Sequence, residues 1–163
     1  MAQATINADD LKAQMLIDWH RAKDYTIEYL NTMPADKYGF RPVDSIRSFA
    51  EQMLHLAQSQ INLISAASGR EKLYGNTFIL DKSETAKNKD SVVYYVKASY
   101  DFAIDAITQM DPSRLGEKID VRNLHITRLT WFNKAFEHQT HHRGQTTIYI
   151  RLLGIKPPGE KLF

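Results

Sequence analysis

TRLTWFNKAFEHQTHHRGQTTIYIRLL, residues 127–153, is the stretch that decides the fold. Trp131, Ala135, His138, His142, Gln145, Tyr149 and Leu152 recur at three- and four-residue steps, the period of one helix face. The spacing predicts a helix from about Thr127 to Leu153. Gly154 ends it ahead of Pro157-Pro158. The stripe is apolar at both ends and carries two imidazoles in its middle, so it looks inward.

Working back along the chain, the same period appears three more times. Leu11, Met15, Trp19, Ala22, Thr26 and Tyr29 define a first helix, capped by Asn7 or Asp9 and ending near Thr32 before Met33-Pro34. Ser45 is placed to cap a second helix running to Ser68, with Gly69 as the stop. A third is expected over about 91–110, ended by Asp111-Pro112. Residues 69–90 are polar and read as a long loop. Residues 111–126 form another connection, in which 117–121 could be extended. Four long amphipathic helices imply an all-α protein, a four-helix bundle. The long connections leave its topology open.

The 163 residues fit one domain, residues 1–163, with enough chain for a core. Twenty-one Lys and Arg against nineteen Asp and Glu leave a formal charge of +2. No basic run accompanies it, so no nucleic-acid partner is expected. No apolar run approaches a membrane span, and MAQATINADDLKAQ lacks the basic and apolar regions of a signal peptide. The expectation is a cytoplasmic protein without a membrane partner. The absence of cysteine removes disulfides, thiolate ligands and a Cys nucleophile. Any metal must be held by His, Asp or Glu.

His138 and His142 lie about 40° apart on the helical wheel, with Cβ atoms about 5–6 Å apart. That spacing lets two imidazoles converge on one ion. A core pair satisfied by carbonyls or carboxylates has the same spacing. His141 falls about 60° to the other side. Gly144 reads as a place of close helix approach. Of the other histidines, His20 reads as a solvent-edge residue and His125 sits in a connection. His55 is in the middle of helix two. Its stripe of Ser48, Glu51, Gln52, Ser59 and Asn62 lies opposite Ile46, Phe49, Met53, Ala57 and Ile64. Periodicity alone reads it as solvated, with a polar pocket lining as the other choice.

Two blocks carry a resemblance: MPADKYGFRPVDSIRSFAEQMLHLAQSQ, residues 33–60, and FNKAFEHQTHHRGQTTIYIRLLGIKPP, residues 132–158. The Phe-Arg-Pro entry into helix two, the Ser-Phe-Ala-Glu-Gln-Met-Leu-His run, His-His-Arg-Gly-Gln and the closing Leu-Gly-Ile-Lys-Pro-Pro together resemble the DinB superfamily. Trp19 fits as well. The resemblance implies a DinB-like four-helix bundle, often a homodimer. It also implies a divalent metal held by His55, His138 and His142, and so turns His55 towards a pocket. Three imidazoles suit Zn, Ni, Fe or Cu. Members of the family with an assigned activity are mainly metal-dependent enzymes acting with low-molecular-weight thiols, such as bacillithiol S-transferases and mycothiol-dependent isomerases.

Three functions follow as alternatives. One is a thiol S-transferase in detoxification or stress response, with a small thiol and an electrophile as partners. The second is a non-catalytic metal- or ligand-binding stress protein. The third is a structural dimer whose histidines are satisfied core residues. The catalytic residues are not named by the sequence. Glu51, Gln52, Ser59, Glu137, His141 and Gln145 are the candidates to orient the rings. Imidazoles with an ordinary pKa near about 6.5 should lose metal as pH falls below about 6.

Overall fold

The computed structural model describes residues 6–76, 79–121 and 123–163. Four helices dominate: α1 (Ala8–Thr32), α2 (Phe49–Ser68), α3 (Lys89–Gln109) and α4 (Arg128–Leu152). Each starts where a side chain can accept a free backbone N–H. Asn7 caps α1 and exchanges hydrogen bonds with Asp10 in a capping box. Asn88 caps α3 and Thr127 caps α4. For α2 the cap is Ser48 rather than Ser45, because Glu51 returns its carboxylate to the Ser48 N–H, and Ser45 has no acid three residues on. Ile46 therefore precedes the helix and is 38% exposed, not on its apolar face. Gly69 ends α2 at φ 79°, a left-handed position where a Cβ would be strained.

α1 packs on α3 and α4, and α2 packs on the same two helices. Helices successive in the chain, α1 with α2 and α3 with α4, thus sit across diagonals. This accounts for the long connections between them: each must cross an end of the bundle. The second crossing contains a hairpin, β1 (Lys118–Val121) against antiparallel β2 (Leu124–Thr127), with Ile119 opposite Ile126. The extended piece expected at 117–121 is one strand of that pair.

The core is lined by Trp19, Leu30, Met33, Phe49, Met53, Leu56, Ile61, Tyr100 and Phe132, each 1% exposed or less. Full burial of side chains this large contributes roughly 1.5–3 kcal/mol each relative to exposure. Trp19 meets Tyr100 and Phe136 edge to face, which ties α1 to α3 and α4. Lys12 of α1 donates to the carbonyls of Thr108 and Met110 at the C-terminus of α3, where a cation meets the negative end of the helix dipole. No helix among the described residues is long and apolar enough to cross a membrane.

The loop after α2 is less irregular than its polarity suggests. Leu80 and Ala86 are buried within two short 3-10 turns. The Leu80 N–H donates to Gln58 Oε1 of α2 at 3.0 Å. These anchors lay residues 80–82 along α2, and that placement matters for the site.

Candidate metal centre

α2 and α4 pack face to face, and His55, His138 and His142 meet between them. Ring centroids are 4.7 Å apart for His55–His142, 4.3 Å for His138–His142 and 5.4 Å for His55–His138. One ring nitrogen from each lies within 4.8 Å of the other two. Among the described residues, this is the one group of His, Asp or Glu side chains close enough to share an ion. His55 is half-buried against the other two rings, so its polar stripe lines an interior site and is not solvated.

The other histidines are elsewhere. His20 is exposed. His125 is on β2, paired with Asp120 at 2.9 Å. His141 is exposed, with Nε2 near the Gln145 amide at 3.0 Å. Two details of the α4 stripe differ from the periodic reading. Leu152 is 60% exposed, so the buried stripe ends at Tyr149. Gly144 faces open space, with nothing within 4 Å of a Cβ built on it, so it serves no close helix approach.

The rings are held by specific partners. His55 Nδ1 lies 3.2 Å from Asp81 Oδ2 and donates to it, which leaves Nε2 with a lone pair. Gln52 Nε2 lies 2.9 Å from His142 Nδ1 and donates to it, which puts the His142 proton on Nε2. That Nε2 faces the Nε2 of His138 at 3.1 Å, so His138 carries its proton on Nδ1. His138 Nδ1 is buried and has no hydrogen-bond partner among the described residues. Gln52 also contacts Gln145 Oε1. Of the candidates to orient the rings, Gln52 does so directly and Ser59 Oγ sits 3.5 Å from His55 Nε2. Glu51 is instead taken up by Arg41, Lys87 and the cap, and Glu137 by Lys134 at the surface.

Asp81 was not legible in the sequence. It lies 26 residues from His55, in a stretch with no helical period. The only local signal is an acid beside an apolar pair, Ile79-Leu80, and Leu80 is what anchors it.

Burial lowers the pKa of all three imidazoles, because the charged form loses water. His142 falls to about 3 and His138 to about 4, each pushed further by the neighbouring histidines. The triad is therefore neutral at physiological pH, the form in which imidazole binds a metal. Two nitrogens face each other at 3.1 Å with one proton between them. One nitrogen of His55 lies within 4.8 Å of both rings, and His138 Nδ1 is buried without a partner among the described residues. With the His142 proton moved to Nδ1, the three rings would offer three lone pairs, a donor set that fits a divalent ion.

Beside the triad, α4, the start of α2 and residues 41–47 enclose a pocket of about 780 Å³, bordered by Gln52, His142, Arg47, Ile148 and Tyr149. A smaller one, about 150 Å³, opens on the other side of His138 next to Ser59, Asn62 and Leu63.

The DinB family sequence profile matches residues 1–162. The chain belongs to the DinB family. Solved structures agree on the fold. A DinB-like protein from Bacillus cereus ATCC 10987 superposes with a TM-score of 0.76 at 18% identity, covering 90% of this chain and 95% of its own. The DinB-like protein YjoA of Bacillus subtilis gives 0.67 at 18% identity, covering 92% and 96%. A conserved protein of Enterococcus faecalis gives 0.68 at 22% identity, covering 91% and 98%. Comparison with curated proteins finds no match. At such identities the likeness of these structures to the chain extends to the fold, and the site rests on its own geometry.

Proposed function

We propose that this DinB protein is a divalent-metal-dependent enzyme, with His55, His138 and His142 as the metal ligands and transfer of a small thiol to an electrophile as its reaction. The convergence of three neutral imidazoles within 4.8 Å, beside a 780 Å³ pocket, is the observation that carries the reading. A three-ligand site leaves positions for a reactant, as catalytic zinc sites do. When bound, the ion supplies a Lewis acid that lowers the pKa of a thiol or water ligand.

The residues around it divide the remaining work. The three imidazoles add no charge, so the full positive charge of the ion is available to an anion. Asp81 fixes the tautomer of His55, and Gln52 contacts the distal nitrogen of His142. The pocket admits a reactant from the side of His142. With no cysteine in the chain, the sulfur nucleophile must come from a cosubstrate. Homodimerisation and a cytoplasmic role in detoxification belong to the same reading. Sedimentation velocity tests the former.

The deciding experiment uses untagged protein, stripped with a chelator and reloaded with Zn²⁺, Ni²⁺ or Fe²⁺. Consumption of small thiols in the presence of an activated aryl halide is compared with the same metal free in buffer. Turnover above that blank, lost in His138→Ala, supports the enzyme. Tight metal uptake with no turnover for any thiol would favour a binding protein instead. Failure to take up metal would leave three core histidines.

A further inference from the structure

The pocket beside the triad has a charged wall that metal binding does not use. Among its lining residues, two are cations, Arg41 and Arg47, and one is a carboxylate, Glu51. Glu51 is already engaged: Arg41 donates to Oε2 at 2.8 Å and Lys87 to Oε1 at 2.8 Å, and Oε2 also accepts the Ser48 N–H of the α2 cap. Arg41 is paired with Glu51 in this arrangement. Arg47 is not. Its backbone carbonyl accepts from the Tyr149 hydroxyl at 2.8 Å, which pins the main chain against α4. Among the described residues its guanidinium reaches only Asp81 Oδ2, at 3.9 Å, and the side chain is 44% exposed. Most of its five N–H donors therefore have no acceptor among the described residues, on a side chain that lines the pocket.

The position is as informative as the lack of partners. The Asp81 oxygen that Arg47 approaches is the one that accepts from His55. One carboxylate separates the guanidinium from His55, and the Arg47 charge acts on all three imidazoles. The same pocket is lined by His142 of the triad and is partly apolar, with Ile46, Ile148 and Tyr149. A cation, a metal-ligand histidine and apolar surface lining one pocket suit a ligand with an anionic head, a metal-binding head and an apolar part.

Resting on the metal-centre reading above, we propose that the pocket binds a small molecule bearing a carboxylate or phosphate. The Arg47 fork holds that anion, a short apolar segment lies on Ile46 and Ile148, and the other end faces the triad. Arginine suits this task because its planar donors match both anions in bidentate fashion. The volume is in the range of small-molecule sites, roughly 300–1,000 Å³. Arg47 is then a specificity-determining residue and takes no part in proton transfer.

The test is calorimetric titration of zinc-loaded, full-length protein at low salt. Two thiols of similar size are compared, 3-mercaptopropionate with a carboxylate and 2-mercaptoethanol without one. Succinate and inorganic phosphate are titrated separately as anions lacking a thiol. The expected result is about tenfold tighter binding of the acidic thiol, a ratio typical of one charge-assisted hydrogen-bonded contact. Arg47→Gln should abolish the preference, and Arg47→Lys should keep part of it. Zinc stoichiometry and helical circular dichroism should match wild type in both. Equal affinity for the two thiols, or an equal loss for both in Arg47→Gln, overturns the proposal. If neither thiol binds but succinate or phosphate does, and Arg47→Gln weakens it tenfold, the thiol reading falls and the anion anchor stands. If both thiols bind alike and neither anion binds, the reverse holds. If nothing binds, both fall. Preference between succinate and phosphate identifies the anion.

Discussion

The Nε2 atoms of His138 and His142 face each other at 3.1 Å, one helical turn apart on α4. Only one proton fits between them, and both imidazoles are held neutral by burial. His141, adjacent to His142, points away to solvent and Gln145. This separation makes the pair testable against its neighbour. Zinc at a hundredfold excess over its Kd should stabilise the folded protein by about 2.7 kcal/mol. His138→Ala should remove most of that gain and His141→Ala should keep most of it. Melting temperatures with and without Zn²⁺ check this, and equal losses in the two variants would mean that the wrong pair was chosen.

The depressed pKa values set a pH window. His138 and His142 titrate at about 4 and about 3 when folded, against about 6.5 for an unfolded chain. Between those limits the unfolded chain binds more protons, so stability falls as pH falls. The loss begins near pH 6.5 and is complete only below the folded values. Each proton taken up on unfolding adds a slope of up to about 1.4 kcal/mol per pH unit. Metal-free protein, titrated from pH 7.5 to 4.5 in chelator, should therefore lose stability more steeply than the His138→Gln/His142→Gln double variant. Parallel curves would contradict the shifts. The same values move the expected loss of metal below the pH of about 6 suggested by ordinary imidazoles, because protons compete poorly for rings this buried.

Gln52 contacts the distal nitrogen of His142. An ion on His142 Nε2 would move its proton to Nδ1, and Gln52 would then have to present its carbonyl oxygen to accept it. Gln52→Met should lower zinc affinity about 10–100-fold, the usual effect of losing such a partner. Gln52→Glu, a permanent acceptor, should retain or raise it. Competition titration with a zinc indicator measures both. Unchanged affinity in Gln52→Met would show that His142 does not bind metal in this way.

Arg143 follows His142 in sequence and goes to the opposite side of α4. It is 6% exposed, donates to Gln139 Oε1 at 2.9 Å and lies over the Tyr25 ring at 4.5 Å. Tyr100 joins Gln139 at 2.7 Å and Thr26 at 2.7 Å, so a polar network binds α1, α3 and α4 inside the core. Arg143→Ala should cost about 2–3 kcal/mol, since it removes both packing and hydrogen bonds to a charged group. Zinc affinity of the folded variant should be unchanged within about threefold. Urea unfolding and zinc titration separate the two effects. A large drop in zinc affinity would join Arg143 to the site.

The sequence by itself determined the helices and most of their ends. Caps and stops are local: Asn7, Gly69 and Pro112 act on backbone groups within a turn of themselves, so their consequences can be read along the chain. It also determined the His138–His142 pair, since four-residue spacing on a helix fixes proximity without further information. What only the tertiary structure decided is whatever depends on one element meeting another. The α2 cap moved from Ser45 to Ser48, where Glu51 closes the box and holds Arg41 and Lys87 as well. His55 has a polar stripe that suits solvent as well as a pocket, and only the packing of α2 on α4 turned it inward. Asp81 reaches His55 because a buried Leu80, held by Gln58, lays a polar loop on α2, and no periodicity encodes that. The diagonal placement of successive helices was hidden for the same reason: amphipathic stripes say which face is buried, but not which neighbour buries it.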